Sequence, residues 1–169
     1  MASAFQWMNS NDLIWSRLLK HYLLGERAPM SDLMAWNADG TRLPYRMHAE
    51  YLRRMFLNND LASGRYPVHG KPVALTAIQC PIYALGTVHD HVAPWRSVHK
   101  LHLLTNVDTT FVLTSGGHNV GIVNPPGVPG RSFQALTRRH DGAYLDPDAW
   151  LRAASRHEGS WWTAWDTWI

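Results

Sequence analysis

The chain has 169 residues, 46% of them hydrophobic and 17% charged, with a formal net charge of +3. This composition predicts one globular domain's worth of chain with a sizeable core. The basic residues are scattered, which disfavours nucleic-acid binding, and we expect no signal peptide. No apolar run reaches the roughly 20 residues of a membrane-spanning helix. The single cysteine, Cys80, excludes an internal disulfide and is typical of a reducing cytoplasm.

The first part of the chain predicts two amphipathic helices. One covers residues 11–27, where apolar side chains recur at helical spacing on one wide face, and Gly25 can close its last turn. After a loop, a second helix is predicted to begin near Pro44, because proline favours the first turn of a helix. We therefore interpret residues 1–67 as a helical segment.

The remaining residues, 68–169, alternate between short β-like runs and helix-like stretches. PIYALG at 81–86 and TTFVLT at 109–114 are predicted to be strands, and residues 95–105 between them a helix. Strand, helix and strand in this order predict a βαβ unit with a parallel sheet, and hence an α/β fold. A final helix is predicted over residues 146–168.

An acid and a histidine follow the two predicted strands. Asp90, in HDHVAP, lies just beyond the first strand, and His118, in SGGHN, lies just beyond the second. Parallel strands present their functional groups at their carboxyl ends, so the two loops can meet. An aspartate before a histidine is the chain order of a hydrolase-type triad. There the acid orients the imidazole, and the imidazole takes a proton from a nucleophile.

Two other interpretations of these residues stay open. Asp90 is also a suitable turn or cap residue, and His118 could be an ordinary surface side chain of a glycine-rich loop. A metal site built from His89, His91 and His118 is the second alternative, since alternation would point the first two histidines the same way. No HExxH or paired-carboxylate pattern accompanies them.

Five motifs follow one another along the chain: NDLIW…YLLG, AWNADGTRLP, HDHVAPW, SGGHNVGIVNPP and GSWWTAW. Together they resemble the C-terminal catalytic half of the polyhydroxyalkanoate synthases, from about Asn11 to Trp168. The resemblance implies an α/β-hydrolase-like fold that polymerises (R)-3-hydroxyacyl-CoA into polyester and releases CoA. It implies no cofactor, because the CoA thioester is the substrate. By the family's motifs Asp90 is the acid and His118 the base of the triad, while Asn119 replaces a residue that is more often apolar.

The family's nucleophile is a cysteine in a Gly-x-Cys-x-Gly elbow, which these 169 residues do not contain. Cys80 has no flanking glycines and no helix directly after it, so we interpret it as a small buried apolar residue. The resemblance thus implies an incomplete domain without the N-terminal strands and the nucleophile elbow. Residues 1–67 would follow the family's mobile cap region. We expect the chain alone to be inactive, with a complementing upstream half or a second copy as its partner.

The end of the chain, HEGSWWTAWDTWI, is rich in tryptophan. Trp161, Trp165 and Trp168 recur at helical spacing with Trp162 beside them, which is typical of a terminal helix that docks on its own domain. An incomplete docking surface would instead expose an aromatic patch suited to a polyester granule or a second subunit. A non-catalytic remnant or association module that keeps the fold is therefore the alternative function. We expect a cytoplasmic protein, with the granule surface as a second location.

Overall fold

The computed structural model describes residues 10–26 and 42–169, together with the single residues 7, 32, 35, 39 and 40. The chain divides into two compact units, Met1–Met47 and His48–Ile169. Part of the motif AWNADGTRLP and the last residue of the first predicted helix lie outside the described residues. The division that we predicted after residue 67 stays a prediction.

The first unit contains a continuous helix, α1, over residues 11–23. Wide π turns at Asn11–Trp15 and Leu19–Leu23 flank a single α-helical turn at Ser16–Leu18. Gly25 has a φ of +67°, a left-handed conformation that glycine adopts at little cost, and the chain leaves the helix there as predicted.

The helices and strands of the remaining chain have well-defined bounds. The helices are α2 (Tyr45–Tyr51, continued by π turns at Leu52–Leu57), α3 (Trp95–Val98, continued by 3₁₀ turns at His99–Leu103), α4 (Pro147–Ala153) and α5 (Trp162–Trp168), with a short 3₁₀ turn at Leu75–Ala77. The strands are β1 (Tyr66–Val68), β2 (Lys71–Val73), β3 (Ile82–Thr87), β4 (Thr109–Thr114), β5 (Ser132–Arg138) and β6 (Ser155–Glu158). None of the helices that the structure describes has the length and apolar character of a bilayer-spanning segment.

Four of the strands form one mixed sheet in the order β3-β4-β5-β6, and β1 pairs with β2 in a separate antiparallel hairpin. β3 and β4 are parallel, with Ile82 opposite Thr109 and Thr87 opposite Thr114. β5 pairs antiparallel with β4, and β6 pairs antiparallel with β5. The predicted βαβ unit is confirmed, and the fold is mixed α/β. Strand β4 is buried at all six positions, as its unbroken run of apolar and threonine residues indicates.

The single helix that we predicted over residues 146–168 is wrong, because β6 separates α4 from α5. The predicted start is present: the Asp146 carboxylate accepts hydrogen bonds from the N–H groups of Asp148 and Ala149, and Pro147 follows it. Ala154 then turns to an extended conformation, and the next four residues pair with β5. Pairing at the open edge of the sheet outweighs the local helical pattern.

Aromatic rings form the core between the sheet and helices α3 and α4. Phe111 of β4 is fully buried. Its ring centroid lies 5.0 Å from that of Trp150, 5.2 Å from that of His99 and 6.0 Å from that of His102. Among the described residues, neither ring nitrogen of either histidine has a hydrogen-bond partner. Both rings are therefore buried in surroundings that favour their neutral form.

These two histidines should make the stability of the protein depend on pH. Burial lowers the pKa of His99, and burial together with the charges of His99 and Arg138 lowers the pKa of His102 to about 4. The unfolded chain therefore binds protons more readily than the folded one, and the free energy of unfolding should fall as the pH drops from about 6.5 to about 4. The slope should approach about 1.4 kcal/mol per pH unit from His102, and His99 adds a contribution of the same sign.

Urea denaturation across this pH range measures the effect, and a His102→Leu variant supplies the control. Leucine has a similar volume and does not titrate, so the slope should become shallower while the contribution of the carboxylates stays. An equally steep slope in His102→Leu would place the titration elsewhere.

Candidate functional site

The loops that follow β3 and β4 are joined at the carboxyl edge of the sheet. The His89 N–H donates a 3.0 Å hydrogen bond to the carbonyl oxygen of Gly116. Gly116 has a φ of +105°, and a Cβ atom there would lie 3.1 Å from the backbone of Gly121. This position therefore requires glycine for its conformation and for its space. The parallel pairing of the two strands thus continues into the loops.

The two residues predicted to form an acid–base pair meet at this edge. His118 Nδ1 lies 2.9 Å from Asp90 Oδ2, so the predicted contact is present. The Asp90 side chain is 7% exposed, whereas that of His118 is 47% exposed. The acid is thus covered by protein, and the ring reaches solvent. Because Nδ1 is bound to the carboxylate, Nε2 is the nitrogen left to exchange a proton with another group.

The remaining contacts of Asp90 hold its carboxylate in place and keep it charged. Its Oδ1 accepts hydrogen bonds from the N–H groups of Val92, at 2.9 Å, and Ala93, at 2.8 Å. Thr87 Oγ1 lies 3.4 Å from Oδ2. Burial opposes ionisation, but the hydrogen bonds from Ala93, His118 and Val92 outweigh it and lower the pKa of Asp90 to about 2. Asp90 therefore both closes a turn and orients His118, which combines two of the interpretations left open by the sequence.

The structure also places the other residues that the sequence singled out. His89 and His91 are exposed. Within the described part of the chain, no three His, Cys, Asp or Glu side chains form a metal-binding group, so His89, His91 and His118 do not surround a common point. The prediction that Cys80 is buried is wrong: its side chain is exposed, because it lies in the loop before β3 and outside the strand.

Cys80 also lies at the wrong edge of the sheet to act with His118. It precedes β3, a strand of six residues, whereas Asp90 and His118 follow the carboxyl ends of β3 and β4. At about 3.3 Å per strand residue, the sheet separates the thiol from the imidazole by on the order of 20 Å. A direct proton transfer between these two groups would need a distance near 3 Å.

The tryptophan segment makes contacts with the His118 loop that the sequence did not predict. Trp161 Nε1 donates to the carbonyl oxygens of Gly121 and Ile122, both at 3.2 Å, and Trp162 Nε1 donates to the same Ile122 oxygen at 3.1 Å. Of the tryptophan segment, only the last part forms the predicted helix, as α5, where Trp162, Trp165 and Trp168 are between 36% and 45% exposed. The one sequence signal for these contacts was the position of both tryptophans within a family motif.

The fold and the pair of side chains together define a class of protein. The protein is of the mixed α/β class, with its candidate site in the loops at the carboxyl edge of parallel strands. A covered, charged aspartate there orients an exposed histidine. This arrangement is typical of proteins that use the imidazole as a base.

Comparison with known proteins shows which proteins this chain is similar to. The chain is 39% identical over 170 residues to poly(3-hydroxyalkanoate) polymerase 1 of Ectopseudomonas oleovorans, covering all of this chain and 30% of the polymerase. Polymerase 2 of the same organism is 39% identical over 169 residues, again 30% of its length. The poly(3-hydroxyalkanoate) polymerase subunit PhaC of Cupriavidus necator is 36% identical over 170 residues, 28% of its length. No family model matches the chain.

These matches confirm the predicted resemblance to the polyhydroxyalkanoate synthases. They extend over the full length of the chain and are consistent with a C-terminal part of such a synthase. The chain spans about 30% of the length of the polymerases that it matches.

Proposed function

We propose that the chain is the C-terminal part of a polyester synthase that polymerises (R)-3-hydroxyacyl-CoA and releases CoA. In this proposal Asp90 and His118 are the acid and the base of a Cys-Asp-His triad on an α/β-hydrolase-like fold, and the thioester substrate makes a cofactor unnecessary. The observation that carries the proposal is the 2.9 Å contact between the covered carboxylate and the exposed ring, in a chain that matches poly(3-hydroxyalkanoate) polymerases. The cytoplasm and the polyester granule are the proposed locations.

The geometry supports two successive proton transfers through His118. The imidazole would first take the proton of a cysteine thiol, and the resulting cysteine thiolate attacks the thioester carbonyl. The thiolate of CoA leaves and takes the proton from the imidazolium. The imidazole would then take the proton of the hydroxyl at the end of the polyester chain as this oxygen attacks the enzyme-bound acyl group. A new ester bond forms, and the cysteine recovers its proton. Asp90 stabilises the imidazolium in both steps and holds Nδ1 protonated.

The nucleophile of this scheme has to come from outside these 169 residues. Cys80 is the single cysteine of the chain and lies beyond the opposite edge of the sheet. Without a thiol within reach and without the backbone N–H that follows it, neither the covalent step nor its oxyanion is supported. We therefore propose that the chain alone releases no CoA above background, and that an upstream half with a Gly-x-Cys-x-Gly turn complements it.

A complementation assay tests the proposal directly. Release of free CoA from 3-hydroxybutyryl-CoA should be absent for the chain alone and should appear on mixing with a separately produced upstream half. His118→Ala should abolish this restored activity. His140→Ala is the matched control, because His140 also contacts an aspartate, with Nδ1 3.3 Å from Asp108 Oδ1, but lies beyond the start of β4. Activity of the chain alone that disappears in Cys80→Ala would contradict the proposal.

The exposed face of α5 favours the second candidate, an association module. Trp162 and Trp165, together with Pro126, line an open cavity of about 290 Å³. A module of this kind would bind polyester granules with unchanged affinity in His118→Ala and would give no CoA release with any upstream half. Two results together would select this alternative: granule binding weakens in Trp165→Ser, and mixtures of the chain with an upstream half release no CoA.

A further inference from the structure

The His118 ring makes little contact that would hold it in place, although the backbone on either side of it is hydrogen-bonded. The ring is 47% exposed, and its hydrogen bond to Asp90 fixes one nitrogen only. The residues before it are Gly116 and Gly117, which give the backbone wide conformational freedom. Something besides the Asp90 contact therefore has to restrain this loop.

The loop after His118 folds into a tight turn that is seated on the end of β3. The Gly121 N–H donates to the Gly117 carbonyl at 2.9 Å, and the Val123 N–H donates to the Asn119 carbonyl at 2.9 Å. A Cβ atom at Gly121 would lie 2.7 Å from Thr87 Cγ2, so only glycine allows this close approach. The carbonyl oxygens of the next turn are then available to accept hydrogen bonds from partners in another segment.

Residues 160–162 supply those partners at both ends of the turn. The indole N–H groups of Trp161 and Trp162 donate to the carbonyls of Gly121 and Ile122. The Ser160 hydroxyl donates to the carbonyl oxygen of Asn124 and accepts a 3.0 Å hydrogen bond from the Trp162 N–H. Ser160 is 6% exposed, so its hydrogen bond to Asn124 is shielded from competing water.

The same segment is attached to the sheet itself. The ring centroid of Trp161 lies 6.4 Å from that of Tyr83 on β3, and the centroid of Trp168 at the other end of α5 lies 5.4 Å from the same ring. Such aromatic pairs stabilise their elements beyond the area that they bury. Residues 160–162 therefore connect the strand that leads to Asp90 with the loop that carries His118.

We infer that residues 160–162 form a strut that positions His118, with Trp161 and Trp162 as positioning residues that touch no reacting atom. The inference rests on the proposed function only in the role that it gives to His118. Without the strut, the turn at Gly121 would open and the imidazole would leave the Asp90 carboxylate for part of the time. Displacements of about 1 Å in a catalytic geometry can cost about a hundredfold in rate, so the strut would matter for catalysis as well as for order.

The test is a Trp161→Phe/Trp162→Phe double variant of the chain, with Trp165→Phe as the matched control. Phenylalanine keeps the apolar ring and removes the indole N–H, and no hydrogen bond joins the Trp165 indole to residues 118–124. Hydrogen exchange of the Gly121 and Val123 amides should become about tenfold faster in the double variant, because two indole donors are lost. The control should leave the exchange unchanged.

A second readout follows the ring itself, by NMR of histidine side chains labelled with ¹⁵N. The low-field proton of His118 Nδ1 should be sharp in the unchanged chain and in Trp165→Phe, and broadened or absent in the double variant. Unchanged amide exchange in the double variant would overturn the strut. Faster exchange with an unchanged His118 signal would overturn its positioning role.

Failure of the strut and failure of the proposed function give different results. If His118 in the complemented enzyme proves dispensable for CoA release, the proposed function fails, while amide exchange still decides whether the strut exists. If the strut and the proposed function both hold, the double variant with the upstream half should lower kcat about tenfold or more with little change in KM, because a displaced base slows the chemical step.

Discussion

On the proposed function, replacing Asp90 by asparagine in the complemented enzyme should lower kcat by about four orders of magnitude, as loss of the orienting acid does in catalytic triads. The backbone N–H groups of Val92 and Ala93 both donate to Oδ1, so they will hold the amide oxygen of the asparagine there. Its NH₂ group then faces His118 Nδ1, which has to become an acceptor. The ring proton moves to Nε2, and the imidazole can no longer take a proton from a thiol.

Initial rates of CoA release against substrate concentration measure this loss, which should lie in kcat while KM changes little. Asp108→Asn is the matched control, because Asp108 contacts His140 and Arg139 beyond the start of β4 and should leave kcat unchanged. Thermal unfolding of both variants will show whether the loss is one of orientation or of folding. A decrease in kcat of less than tenfold in Asp90→Asn would show that the aspartate does not orient the base.

The parts of the site that could be predicted depend on short-range pattern and chain order. Strands β3 and β4 have six residues each, which are mainly apolar or threonine, and a helical stretch lies between them. This order is the pattern of a parallel βαβ unit. Parallel pairing brings the carboxyl ends of both strands to one edge. The contact between Asp90 and His118 follows from that topology, without any knowledge of the side-chain rotamers.

The parts that could not be predicted depend on pairing between distant segments. All four residues of β6 are exposed, and its sequence SRHE has no apolar alternation, so its strand conformation comes from pairing with β5 alone. The hydrogen bond from Trp161 to Gly121 likewise joins residues that are 40 positions apart. The tryptophans showed a helical stripe, but a stripe does not reveal which backbone carbonyl an indole will meet.

The burial of His99 and His102 was hidden for a related reason. In the sequence both stand in the predicted helix at 95–105 among lysine and leucine, where a histidine is as compatible with solvent as with a core. In the structure their exposed fractions are 1% and 4%, because Phe111 and Trp150 enclose them. The residue that closes this core, Trp150, comes from α4, some fifty residues later in the chain.

Trp150→Ala should therefore have the largest effect of any single core substitution on stability, lowering the free energy of unfolding by about 3–5 kcal/mol. The Trp150 side chain is 2% exposed, and its ring centroid lies 5.0 Å from that of Phe111 and 6.0 Å from that of Trp95. Alanine would leave a cavity between α4 and β4 that the rigid sheet cannot close. Urea denaturation of the 169-residue chain, with a check that the m value is unchanged, measures the loss.

Two further variants separate the packing of this ring from its polarity and from the general effect of losing a tryptophan. Trp150→Phe keeps most of the aromatic contacts and removes an indole N–H that has no partner among the described residues, so it should cost much less than alanine. Trp165→Ala removes a side chain that is 45% exposed and should cost less than about 1 kcal/mol. Equal losses in Trp150→Ala and Trp165→Ala would mean that the aromatic cluster around Phe111 is not what holds α4 to the sheet.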